Sequence, residues 1–77
     1  MDVFDMMKSS TDKASFLKFL EGLENDFLNN SETWENLSID MFLEAIRAWI
    51  YQGNDVNFEN PDWTTVASIF YSGKVYE

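Results

Sequence analysis

The side chains that most often carry catalysis are missing from this chain. None of its 77 residues is histidine or cysteine. The commonest general base and the commonest metal ligand are therefore absent. So are a thiolate nucleophile, a disulfide and a thiolate metal site. Serines and threonines are present, but no His or Cys stands ready to activate or orient them. A serine–lysine pair would need a buried lysine, and all five basic residues fall in polar surroundings by pattern. Glycines at 22, 53 and 73 are too scattered to cradle a phosphate. Fourteen acids make chance carboxylate pairs inevitable, so pairing alone assigns no acid–base role. The expectation is a non-enzyme without a cofactor.

One stretch invites a metal test. Asp55, Asn57 and Glu59 alternate as the first, third and fifth positions of a calcium loop would. The sixth position, where the sharp turn needs Gly, is Asn60, and the twelfth, where Glu should close the shell, is Val66. A solvated linker with local Asx turns is the better reading, and a calcium-binding loop at 55–62 is a remote alternative.

Charge and aromatic content point toward association. The formal net charge is −9, from 14 acidic and 5 basic residues. Nucleic-acid backbone and anionic membrane surfaces are disfavoured partners, since binding to both draws on Lys and Arg. A basic protein would be steered toward the chain, although acidity also serves plain solubility. Seven Phe, three Trp and three Tyr make up 17% of the sequence. Trp34, Trp49, Tyr51, Trp63, Phe70, Tyr71 and Tyr76 together exceed what one small core needs. Trp49 and Trp63 are expected in that core, while Tyr51, Tyr71 and Tyr76 are expected at the surface.

The elements that would position these residues are helical. From about 11 to 28, Phe16, Leu20, Leu23 and Phe27 recur at helical spacing after Ser9 and Asp12, which stand in an approximate capping-box relation. Asn29 to Leu37 reads as a connection, with Trp34 folding back over the core on a turn begun by Ser31. The stretch 39–52 is the most apolar. Ser38 caps it, Gly53 closes it in the left-handed conformation, and only Asp40, Glu44 and Arg47 interrupt it with charge. A third helix, 61–72, starts at Asn60-Pro61 with Asp62 near the dipole. Residues 1–8 form a short N-terminal segment and 74–77 a tail. The expected fold is all-α: one small domain over 1–77, a three-helix bundle whose second helix is sandwiched and mostly buried. A small α+β domain, with Val3–Met7 or the tail as a strand, is the competing architecture. The N-terminus, M-D-V-F-D-M-M-K, lacks the basic and apolar regions of a signal peptide, and no stretch is apolar enough to span a bilayer. A cytoplasmic location is expected.

The stretches F-L-K-F-L-E-G-L (16–23), W-E-N-L-S-I-D-M-F-L-E-A-I-R-A-W (34–49), E-N-P-D-W-T-T-V-A-S-I-F (59–70) and the closing Y-E (76–77) can be read together. They resemble a family of small acidic bacterial proteins of unknown function, with the order W-E-N, F-L-E-A, A-W, E-N-P, W and Y-E. The loop after the central helix is shorter here than the aromatic-rich connection of that family. The resemblance implies a helical domain in a bacterial cytosol and supplies no catalytic residue.

The leading functional expectation is a non-catalytic protein-interaction module. It would be an immunity-type protein or inhibitor acting on a basic protein partner. Asp40, Glu44, Asp55, Glu59 and Asp62 would form or flank the contact surface, with Tyr51 and Tyr71 beside them. The alternative is homodimerisation through the apolar face of the central helix.

Overall fold

Four α-helices and one 3-10 turn follow in chain order: α1 (Val3–Lys8), α2 (Lys13–Asn30), the turn Ser31–Thr33, α3 (Ile39–Tyr51) and α4 (Trp63–Val75). The structure, a computed structural model, describes residues 2–53 and 58–76. No strand occurs among the described residues, so the N-terminal segment is a helix.

Side-chain caps set the helix starts. Asp2 accepts from the Asp5 amide to open α1. Asp12 accepts from the Ser15 amide at 2.8 Å while the Ser15 hydroxyl takes the Asp12 amide, a reciprocal box that starts α2 at Lys13. The partner expected for Asp12 was Ser9, which instead ends α1. Ser38 caps α3 as its sequence indicated, and Gly53 follows at φ 66, the left-handed conformation. For α4 the cap is Asp62, which accepts from the Thr65 amide at 2.8 Å, so the helix begins two residues beyond Pro61. That helix also continues to Val75, past the expected stop at 72, and absorbs the first half of the expected tail.

The central helix is α4, not α3. Among the described residues α4 meets α1 and α2 as well as α3, whereas α3 meets α4 and no other helix. Side-chain size explains the exchange. α4 carries Ala67, Ser68, Ser72 and Gly73, small enough for helices to approach from two sides. Ala67, Ser72 and Gly73 are buried. A Cβ at Gly73 would come within 2.7 Å of the Phe42 ring tip, so α3 seats on α4 only because that position is glycine. α3 has more apolar side chains than one neighbour can cover, and Ala45 is its only buried residue. The expectation of a sandwiched, mostly buried second helix is therefore overturned.

The core lies between α4 and the α1–α2 pair. Val3, Met7, Phe16, Phe19, Leu23 and Ala67 are buried there, with Phe70 and Tyr71 packed against them. Phe16 makes ring contacts with Phe19, Trp63 and Phe70 at 6.2, 5.4 and 6.0 Å between centroids, offset or tilted as the ring quadrupoles favour. Gly22 lies where α1 closes onto α2, and the nearest atoms to a Cβ there belong to the flexible end of Met6. Thr64 ties α4 to the end of α1 by donating to the Ser10 carbonyl at 2.8 Å.

Candidate functional site

Two groups of residues stand apart from ordinary core packing: a polar cluster at the C-terminal end of α4 and the outer surface of α3. They differ in kind.

The polar cluster is built from Asp26 on α2, Trp34 and Asn36 in the connection, and Lys74 on α4. Lys74 Nζ and Asp26 Oδ2 form an ion pair at 2.8 Å, with only 11% and 18% of the side chains exposed. The Trp34 indole N–H donates to the same carboxylate at 2.8 Å, and the Lys74 ammonium lies 6.0 Å from the Trp34 ring centroid. Burial pushes the Asp26 carboxyl up, but donation from Lys74, Trp34 and Asn30, with the Lys74 charge, outweighs it and holds the pKa below the ordinary carboxylate value. Beside it, the Asn36 amide donates to the Gly73 carbonyl at 3.0 Å and to the Tyr76 carbonyl at 2.8 Å. The Glu35 amide donates to the Lys74 carbonyl at 2.9 Å. Glu35 and Asn36 thus form a clamp on the carbonyls that a helix end leaves without partners, with Trp34 anchored beside them on Asp26.

The side chains of this cluster bond to one another and to the end of α4. No buried side-chain N or O among the described residues lacks a hydrogen-bond partner. The cluster ties α2 and the connection to the end of α4. The buried lysine corrects the expectation that every basic residue lies in polar surroundings. Its signal was in the sequence: Trp63, Ala67, Phe70 and Lys74 recur at four, three and four residues, which places Lys74 on the face that packs on α2 once the helix runs past 72.

α3 presents the opposite situation. Ile39, Leu43, Ile46 and Ile50 recur at four, three and four residues and share one face. Ile39 is 71% exposed and Leu43 56% exposed, Ile50 is exposed, and Ile46 is half-buried. At its N-terminal end this stripe runs into an apolar hollow lined by Phe27, Trp34, Leu37, Ile39 and Phe42. Leu37 there is 56% exposed. Scattered apolar residues on a surface are ordinary, but a contiguous helical stripe flanked by charge is the form of a docking face.

The residues expected to bind a partner divide between two places. Asp40, Glu44 and Tyr51 gather on the outer side of α3, and Asp40, Leu43, Glu44 and Arg47 line one shallow depression beside the stripe. Tyr51 is 89% exposed. Hydrogen bonding from the Ser38 hydroxyl holds the Asp40 carboxyl below the usual range. Glu59 and Asp62 are exposed but lie by the start of α4, beside the C-terminal end of α3. Asp40 sits at the other end of α3, about 16 Å along the axis from Tyr51 at 1.5 Å per residue. Asp62 is also committed as a cap, its carboxyl lowered by the Thr65 amide it accepts from. Tyr71 corrects its expectation of exposure: it is half-buried, with its ring 5.6 Å from Phe4. Asp55 lies outside the described residues, and the calcium-loop reading of 55–62 falls partly outside them. Among the described residues no group of three or more acids is placed to hold a metal ion. The sequence pointed to an apolar face on this helix but not to Ile39, Leu43, Ile46 and Ile50 as that face, because most of the helix was expected to be covered by two neighbours.

The fold and surface together define a class: a small all-helical protein whose third helix rests on one neighbour and leaves an aliphatic face in water. The chain belongs to a family of unknown function, DUF7660, whose model matches residues 12–77. The match begins at Asp12, the cap of α2, so α1 precedes it. No curated protein and no solved structure matches the chain. No helix among the described residues is long and apolar enough to cross a membrane.

Proposed function

We propose that this protein is a non-catalytic interaction module that docks a protein through the outer face of α3. The observation that carries the reading is the solvent exposure of a continuous aliphatic stripe, Ile39–Leu43–Ile46–Ile50, on a helix with one helical neighbour among the described residues. Leaving large aliphatic groups in water forgoes about 25 cal/mol for each Å² that a partner would cover. Such faces serve as recognition surfaces when a helix lies in a groove or against another helix. The charged row beside the stripe supplies register and selectivity at the rim of the contact.

An immunity-type protein or inhibitor is the variant of this reading that the charge favours. A net charge of −9 would speed encounter with a basic partner.

The test is a comparison of affinity-tagged wild type with Leu43→Glu and, as a control on the outer surface of α2, Leu17→Glu. Leu17 is exposed on a different helix, so its substitution leaves the α3 face intact. Proteins retained by wild type and Leu17→Glu but lost with Leu43→Glu, the chain itself included, support α3 as the docking face. Identical co-purifying sets for all three would refute it.

A further inference from the structure

We infer that the α3 docking face is occupied by a second copy of this chain, aligned antiparallel across a two-fold axis. The inference rests on α3 being the docking face and identifies its occupant from the sequence of that face.

Two helices pair along a seam when apolar residues alternate at three and four positions, with flanking side chains bridging the edges. Ile39, Leu43, Ile46 and Ile50 make such a seam, long enough for four layers. In antiparallel alignment about its midpoint, Ile39 lies across from the second copy's Ile50 and Leu43 from the second copy's Ile46. Each layer then holds two branched aliphatics, and the pattern is its own complement. That is the requirement for a two-fold contact, in which the same patch serves both subunits.

The edges decide the direction. The residues that follow Ile39 and Ile46 flank the seam on its outer side, and these are Asp40 and Arg47, both exposed. Antiparallel helices bring like edges together, so Asp40 meets the second copy's Arg47, and Arg47 meets its Asp40. Two opposite-charge pairs form by symmetry. Parallel helices would set this edge against the other one, where Phe42 and Trp49 stand, both half-buried in their own chain. The lone basic residue of α3 is therefore placed where only antiparallel self-association gives it an acidic partner across the seam.

The size of the contact sets its strength. α3 spans thirteen residues, roughly 20 Å, and one such helix pair falls below the 1,200–2,000 Å² of a standard interface. The hollow lined by Leu37 and Phe27 adjoins the Ile39 end and extends the covered area there. A dimer that dissociates in the micromolar range is expected.

Sedimentation equilibrium on the full chain, with circular dichroism to check that each variant keeps its helix content, tests this. Wild type should be dimeric at high micromolar concentration and Leu43→Glu monomeric. Asp40→Arg and Arg47→Asp should each weaken self-association about tenfold or more, because both edge pairs become like-charged. A mixture of those two variants should dimerise again, since one chain then carries two basic edge residues and the other two acidic ones. A wild type that is monomeric throughout overturns the second copy as occupant, while the docking face still stands or falls on the Leu43→Glu comparison above. A wild-type dimer that Leu43→Glu leaves intact overturns both. Variants that fail to rescue each other when mixed overturn the antiparallel alignment.

Discussion

Replacing Asp26 with Asn tests the claim that the Lys74 cluster is a structural device. The substitution keeps an acceptor for the Trp34 indole but leaves the Lys74 ammonium, 2.8 Å away, without a counter-charge. At an effective dielectric of about 20 the gross attraction across that distance is about 6 kcal/mol, most of it offset by the desolvation of both ions. Breaking a fully buried pair from one side costs about 3–5 kcal/mol. Here the side chains keep 11% and 18% of their exposure, so the ammonium can partly rehydrate. A loss of about 2–3 kcal/mol is expected, roughly half the stability of a domain this size. At about 2.1 cal/mol/K per residue the unfolding entropy makes each kcal/mol worth about 6 °C, so the midpoint falls by about 12–18 °C. Removing both charges, with Asp26→Asn and Lys74→Met together, should cost less than Asp26→Asn alone, because no unpaired ion remains. Urea unfolding followed by tryptophan fluorescence gives these differences at constant slope. A single variant within about 0.5 kcal/mol of wild type, or a double variant less stable than the single, would refute this account.

The same pair fixes a pH dependence. The folded-state pKa of Asp26 lies below its ordinary value of 3.8, so the contribution is complete above that value. It is lost as pH falls through the lower folded value. The stability gap between wild type and Asp26→Asn should hold from neutrality down to about pH 5 and close only below that. Asn36→Ala removes both donors from the end of α4 and should cost about 2 kcal/mol, with Asn36→Asp worse at neutral pH because it sets a carboxylate against two carbonyls; thermal melts distinguish the two. The two helical glycines should respond in opposite directions. Gly73→Ala drives a Cβ into the Phe42 ring and should destabilise by about 1 kcal/mol after the gain in helix propensity, whereas Gly22→Ala meets only the flexible end of Met6 and should be neutral or stabilising. Equal shifts for the two in denaturant melts would contradict the close seating of α3 on α4.

Local signals in the sequence determined the elements. Ser38 and Gly53 bound α3 because capping is an interaction within one turn, and the spacing of Phe16, Leu20 and Leu23 marked α2 because one helix face needs no knowledge of its neighbours. The choice of Asn60 over Asp62 as the α4 cap failed for a local reason: both residues can cap, and only the chain path decides which carboxyl or amide reaches an orphan N–H. Layer order was not local at all. Hydrophobic content made α3 look central, yet burial depends on which helices can approach from two sides. That is set by small residues, Ala67, Ser72 and Gly73, whose hydropathy gives no hint of a central place. The same decision turned the aliphatic residues of α3 from core into surface and gathered Asp40, Glu44 and Tyr51 beside them. It also separated Asp62 and Tyr71, which cap and pack elsewhere. Residue types and spacing determined what each helix could offer. Tertiary packing alone decided which face was left to offer it, because two helices compete for one central place and side-chain volume settles that competition.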